Sequence, residues 1–402
     1  MKILHTADWH LGKKLEGYPR HQEQVEVMDE ICMIAGKYGV DAVVIAGDIF
    51  DTYNPPTEST ELFYKTVKRL SANATRPVIV IAGNHDSPDR IEAPDPLAIE
   101  NGIFLLGYPG SEIKPVRLES GLEVLRSEPG FLEIYIPSVR KALRVIFTPF
   151  ANEHRLRKAL GQENPEKELK SLLSDRWHEL AARYCDGEGA NILVSHNFFV
   201  REGQKAIEDD DAEKPILYVG GAQAIETGLI PAAIQYTALG HLHSYQNLGE
   251  DNKPVVYSGS PIAYSFAEAG QDKYVAIAEF TFCKKPVVTR VKLEKGKKLV
   301  KRKFDNVDEA VAWLNENPGI LLELTIVTGE YLSSYDRKRL YAAHDGIITI
   351  IPEIKNAGTS IDSSPVIDME QSMEKLFEDY FEYKKGQKPN KRLKQLFKEL
   401  IK

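Results

Sequence analysis

The chain opens with MKILHTADWH (Met1–His10), and the same design returns in AVVIAGDIFD (Ala42–Asp51) and VIVIAGNHD (Val78–Asp86). Each time a short apolar, β-branched run ends in a polar cluster rich in metal-seeking side chains. The design recurs in ILVSHN (Ile192–Asn197) and YTALGHLH (Tyr236–His243). Runs of this length and composition read as buried strands, here Ile3–Ala7, Ala42–Ala46, Val78–Ala82, Ile192–Ser195 and Tyr236–Leu239. Between the first two, His21–Tyr38 spaces Val25, Met28, Ile31, Cys32 and Ala35 as one helix face, with Gly39 as a stop. Glu58–Leu70 supplies the next crossover helix. The pattern predicts an α/β fold with a mostly parallel sheet. The carboxyl ends of such strands converge on one crevice. Asp8, His10, Asp48, Asn84, His85, His196, His241 and His243 are therefore expected in one site.

Those side chains point to a two-metal centre. Carboxylate, imidazole and amide oxygen donors without a thiolate suit hard and borderline divalent cations. Two cations about 4 Å apart need a bridging ligand, and Asp48 is central in the order of strands. Asp8 and His10 are placed to reach one cation together, and His241 and His243 repeat their spacing. Asn84 offers a neutral oxygen where a further charge would over-neutralise the pair. His85 is better used off the metals, stabilising a scissile phosphate or donating a proton to the leaving oxygen. Asp86 beside it is expected to orient the imidazole. Asp51 either orients a ligand or caps its own loop. His5, His21, His154, His178 and His344 are read as structural.

The remainder sets limits. At 402 residues the chain has room for a large core and one or two smaller units. Hydrophobic residues make up 43% and charged residues 27%, the balance of a globular protein. Neither a signal peptide nor an apolar run of membrane-spanning length is read, and Cys32, Cys185 and Cys283 show no pairing or zinc spacing. These features give the expectation of a cytoplasmic protein. The net charge of −8 hides an uneven distribution. Lys284–Lys303 holds ten basic residues against Glu294 alone, and Lys384–Lys402 holds eight against Glu399 alone. Such runs either track a polyanion or form solvated surface. Glu208–Glu213 reads as a solvated acidic loop, and Pro165–Tyr184 as a helix with Asn164 as its N-cap. Val307–Asn315 reads as a short helix, with Leu321–Thr328 and Ile347–Ile351 as strands of a small α+β unit. Pro352–Pro365 is a linker. Helical apolar stripes follow at Met369, Met373, Leu376, Phe377, Tyr380 and Phe381, and again at Leu393, Leu396, Phe397, Leu400 and Ile401.

LHTADWHLGK, AGDIFDTYNPP, AGNHDSP, LGHLHSYQ and YSGSPIAYSFAEAG together resemble the calcineurin-like metallophosphoesterase superfamily over residues 1–280. Within it they are similar to the SbcD family, nuclease subunits of bacterial SbcC–SbcD complexes. YSGSP followed by SFAEAG (Tyr257–Gly270) is the most discriminating piece. The resemblance implies a metallophosphoesterase-type β-sandwich flanked by helices (residues 1–284), a small α+β capping domain (285–352) and C-terminal helices (353–402). It implies a two-Mn²⁺ nuclease, with Mg²⁺ or another divalent cation as alternative, acting on DNA ends and hairpins. One cation falls to Asp8, His10, Asp48 and His243, and the other to Asp48, Asn84, His196 and His241. His85 stays outside the metal shell. The implied partners are an SbcC-type coiled-coil ATPase bound through the tail helices and a second copy in a homodimer, at the nucleoid and away from membranes. Two other readings compete: a dimetal phosphatase or cyclic-nucleotide phosphodiesterase, and a scaffold whose chemistry has decayed.

Overall fold

The computed structural model describes residues 1–156, 165–203, 224–281, 285–329 and 332–354, together with 375–378, 380, 381, 389, 393, 394 and 397 of the C-terminal segment. Asn164, Glu208–Glu213, Cys283, most of 352–365 and the tail positions Met369, Met373, Leu396, Leu400 and Ile401 lie outside the described residues.

The predicted strands form, but in two sheets. The first contains β1 (Lys2–Thr6), β2 (Ala42–Ala46), β3 (Val78–Ile81) and β4 (Ile103–Leu106), all parallel. The second is built on β5 (Glu123–Glu128), β6 (Phe131–Ile136), β7 (Lys141–Thr148), β8 (Ala190–Ser195), β9 (Tyr236–Leu239) and β10 (Val255–Tyr257). It runs in the order β10-β9-β8-β7-β6-β5, with two-residue strands at both edges. Its centre, β7 to β10, is parallel, and β5 and β6 join antiparallel. β11 (Tyr274–Glu279) and β12 (Val287–Lys292) add antiparallel strands to the first sheet beside β1, giving β12-β11-β1-β2-β3-β4.

Side-chain alternation explains the layers. Leu4, Val43, Ile45, Val78 and Val80 point to one side, where α1 (His21–Lys37) and α2 (Thr57–Leu70) cover them. Ile3, Val44, Ala46, Ile79 and Ile81 point to the other and meet Val145, Phe147, Ile192, Val194 and Tyr236 of the second sheet. The outer face of that sheet is closed by α3 (Pro165–Tyr184) through Leu173, Trp177 and Leu180. The result is helix, sheet, sheet, helix, so the central strands are buried on both faces and read as unbroken apolar runs.

The first helix buries Val27 and Ile34 beside Met28, Ile31 and Ala35, while Val25 and Cys32 sit half-buried at the margin of its face. The basic stretch is shared between two sheets. Its first half is β12, and its second half is β13 (Leu299–Phe304), the start of a small sheet β13-β14-β15. Here β14 is Leu321–Thr328 and β15 is Ile347–Ile354, which runs past Pro352 where a linker was expected. α4 (Val307–Glu316) connects β13 to β14, and α5 (Ser334–Ala343) connects β14 to β15. The last helix carries no readable apolar stripe, because Leu340 alone of its residues is buried.

Contacts divide the chain into a unit of residues 1–326 with 333–351 and a unit of 327–332 with 352–402. In the second unit Phe377 stacks on Phe397, ring centroids 4.0 Å apart, so the two apolar tail stretches touch each other. No helix among the described residues is long and apolar enough to cross a membrane.

The inter-sheet layer should dominate stability. Phe104→Ala removes a fully buried ring from it and should cost about 3–5 kcal/mol, read as a lowered denaturation midpoint with the fold retained. A loss below about 1 kcal/mol, the scale of a surface change, would contradict this packing.

Candidate metal centre

Five turns at the carboxyl ends of β1, β2, β3, β8 and β9 come together at one edge of the sandwich. They deliver Asp8 and His10, Asp48, Asn84 and His85, His196, and His241 and His243. Two glycines allow the turns to meet. A Cβ on Gly83 would stand 2.0 Å from Asp48 Oδ1, and one on Gly240 would stand 2.0 Å from the Ala46 carbonyl oxygen. Asp8, His10 and Asp48 have φ of 54°, 42° and 49°, and His241 has φ of 104°. Left-handed backbone at a side-chain-bearing residue costs roughly 1–2 kcal/mol. Four such residues meeting at one point mark a place where geometry is held against local preference.

The eight predicted residues are brought together. Asp48 lies at the middle: its Oδ1 accepts the His85 backbone N–H at 2.9 Å, and its Oδ2 lies 3.2 Å from His196 Nε2 and 3.5 Å from His10 Nε2. Asn84 Oδ1 lies 3.1 Å from both His196 Nε2 and His241 Nδ1. Asp8 Oδ1 accepts the His241 backbone N–H at 2.8 Å, which ties the first sheet to the second. His10 and His243 face each other, Nε2 to Nε2, at 3.1 Å.

Neighbouring acceptors fix three tautomers. His196 Nδ1 lies 2.7 Å from the Ala46 carbonyl, which can only accept, so Nδ1 carries the proton and Nε2 the lone pair. The Asp51 carbonyl does the same for His85 Nδ1 at 2.9 Å. For His243 the acceptor is the Glu268 carboxylate, 3.4 Å from Nδ1. Asp51 thus orients His85 through its backbone oxygen, while its carboxylate lies 3.3 Å from Lys13 Nζ and 3.7 Å from His10 Nδ1. The Asp86 carboxylate faces away from His85. It accepts backbone N–H groups of Gly83, Ile49 and Phe50 at 2.8 to 3.1 Å and so braces the turns that carry Asp48 and Asn84. Of the histidines expected to be structural, His5 is buried between the sheets with Nδ1 2.9 Å from the Tyr236 hydroxyl.

Sequence reasoning missed Glu268 and Arg155. Glu268 closes a capping box with Ser265 and takes a hydrogen bond from buried Lys273, whose Nζ also donates to the His243 carbonyl at 3.0 Å. SFAEAG was the signal, but a motif match carries no contact. Arg155 donates to backbone carbonyls of the Gly83–Asp86 turn. It lies in EHRL (Glu153–Leu156), distant in sequence from every motif.

The donor set fits divalent cations. Asp8 Oδ2 is buried without a hydrogen-bond partner, a state that a bound cation relieves. Two neutral imidazoles cannot present lone pairs to each other at 3.1 Å without a positive charge between them. Asp8, His10 and His243 hold ligand atoms within 4.8 Å of one another, as do Asp8, Asp48 and His196. Burial pushes Asp8 up to about 7 and draws His241 down to about 3, His196 adding to the latter. Burial also opposes the charged forms of Asp48 and His196, but their mutual attraction reverses it. Asp48 is held well below the usual carboxylate range and His196 is raised to about 9.

The centre opens into a cleft of about 740 Å³, lined by Asp48, Asn84, His85, His241 and His243 on one side and by Lys301 and Arg302 of β13 on another. Glu268 and Gln271 also border it.

The calcineurin-like phosphoesterase family model matches residues 1–245. The chain is 37% identical to the D subunit of nuclease SbcCD from Bacillus subtilis, covering 100% of this chain and 97% of that protein. It is 32% identical to the corresponding protein of Rhodobacter capsulatus, covering 69% and 66%. With that of Escherichia coli K12 it shares 30% identity, covering 84% and 81%.

Cation binding should release protons. Metal ligation needs the His196 lone pair, and without metal that imidazole keeps its proton up to about pH 9. Affinity should therefore rise with pH to about 9, with about one proton released per chain loaded at pH 8. Calorimetry in buffers of different ionisation enthalpy measures this release, and a binding enthalpy that is the same in all of them would contradict it.

Proposed function

This chain belongs to the calcineurin-like phosphoesterase family, among the SbcD nuclease subunits, and we propose that it hydrolyses the phosphodiester bonds of DNA ends and hairpins with two Mn²⁺ ions. The observation that carries this reading is the cleft itself. Two overlapping sets of cation ligands share Asp8 on one wall, and a strand bearing Lys301 and Arg302 forms another. A centre built for phosphate esters thus faces a basic strand able to follow a phosphate backbone without reading sequence.

In this reading Asp8, His10, Asp48 and His243 hold one cation, and Asp48, Asn84, His196 and His241 hold the other. Divalent cations supply an acidified attacking water and neutralise phosphate charge at such a site. The protein supplies position and proton transfer. Glu268 keeps His243 in the tautomer that leaves Nε2 as ligand, and the Ala46 carbonyl does so for His196. His85, with Nδ1–H committed to Asp51, carries its exchangeable proton on Nε2 and delivers it to the leaving oxygen. Nitrogen and oxygen donors favour Mn²⁺ or Mg²⁺ over thiophilic metals.

The relatives are named as parts of a two-component nuclease, and the partner proposed here is the coiled-coil ATPase component, engaged by the Phe377 and Phe397 region. A second copy as homodimer partner and action at the nucleoid belong to the same proposal. The phosphatase and cyclic-nucleotide readings leave Lys301 and Arg302 without a role.

His85→Gln should retain both cations and lose about 10²-fold or more in cleavage rate. The assay compares a DNA hairpin with p-nitrophenyl phosphate in the presence of Mn²⁺, alongside metal analysis. Turnover of only the small ester by the wild type would remove the nuclease reading, and loss of metal in the variant would place His85 among the ligands. Lys301→Ala with Arg302→Ala should weaken DNA binding uniformly across sequences and flatten its salt dependence by about one unit of slope per charge removed. An unchanged slope would detach β13 from the substrate.

A further inference from the structure

The Gly83–Asp86 turn is gripped from both of its hydrogen-bonding sides. Its N–H groups go to carboxylates: Gly83 N–H to Asp86 Oδ2 at 2.8 Å and His85 N–H to Asp48 Oδ1 at 2.9 Å. Its carbonyls go to a single guanidinium. Arg155 Nη1 donates to the Gly83 oxygen at 2.7 Å, and Nη2 donates to the Asp86 oxygen at 2.8 Å and the Asn84 oxygen at 3.5 Å. Nη2 also reaches the Tyr53 hydroxyl at 3.2 Å, and the guanidinium carbon lies 5.2 Å from the Phe150 ring centroid.

Arg155 is 4% exposed, and its hydrogen bonds go to neutral oxygens. A buried charge is costly unless its donors are satisfied, so a charge kept for stability alone would be better matched by a carboxylate. What the guanidinium gains here is shape. Its planar fork spans several carbonyls at once, which an ammonium on a flexible stem cannot do. All three carbonyls belong to the turn that presents Asn84 to His196 and His241, and His85 to Asp51. Arg155 itself follows β7, in the other sheet, so it also fixes one half of the centre relative to the other.

We infer that Arg155 is a positioning residue of the metal centre: it holds the backbone of the Gly83–Asp86 turn so that the Asn84 oxygen and the His85 ring stay in register with the second sheet. The inference rests on the two-cation reading above. It acts through Asn84, so it bears on the cation shared with His196 and His241 and leaves the one beside His10 and His243 unaffected.

The test is Mn²⁺ binding by equilibrium dialysis on the full chain, comparing wild type, Arg155→Lys and Arg155→Met, with folding followed by circular dichroism. Loss of a group that orients a ligand typically costs 10–100-fold in metal affinity. Both variants should show this loss for one of the two cations while the other binds as in wild type. Lysine should not rescue the loss, because it keeps the charge without the fork. Cleavage of a DNA hairpin should fall in kcat more than it changes KM, and should recover in part at high Mn²⁺. Wild-type affinity for both cations in either folded variant overturns the inference, as does failure of both variants to fold, which would assign Arg155 to the core. A wild-type chain that binds no Mn²⁺ sinks the two-cation reading instead, an outcome seen before any variant is compared.

Discussion

One carboxylate sets the arrangement of the whole edge. Asp48 accepts the His85 backbone N–H with one oxygen and faces His196 and His10 with the other, so three turns from two sheets are indexed to it. Without a compensating positive charge, the burial of Asp48 together with Asp8 and Asp86 would be prohibitive. The protein answers in part by raising His196 and in part by spreading backbone N–H donors over all three carboxylates. What remains, including the unpartnered oxygen of Asp8, is the electrostatic demand that divalent cations meet.

The sandwich exists to make that edge possible. Parallel strands in both sheets end on the same side, and the inter-sheet core holds those ends at fixed spacing. The turns then take strained backbone at Asp8, His10, Asp48 and His241, a cost that a local sequence would not accept alone. Rigid layers below and charged braces above share that strain. Asp86, Glu268 and Arg155 touch backbone or imidazole and never enter the cleft as donors of their own chemistry, apart from the border that Glu268 forms.

How much of this was legible follows from how local each signal is. A strand ending in a polar pair is a local pattern, so Asp8 with His10, Asp48, Asn84 with His85, and His241 with His243 could be read directly, and His196 by its place after a strand. The division into two sheets was not readable from periodicity, because strands buried on both faces look alike whichever sheet they join. That part came only with the family resemblance. Asp86 was read as a partner of its neighbour His85, but adjacent side chains on a tight turn diverge, and the carboxylate found the N–H groups of Gly83, Ile49 and Phe50 instead. Glu268 and Arg155 act across long sequence separations, where one sequence alone offers no pairing information.

The central claim is that these turns hold two cations bridged through Asp48, and electron paramagnetic resonance of the Mn²⁺-loaded chain addresses it most directly. The account predicts two Mn²⁺ per chain with the multiline signal of an exchange-coupled pair, which Asp48→Asn weakens or abolishes. A single Mn²⁺ per chain, or two giving only the six-line signal of isolated ions, would contradict it.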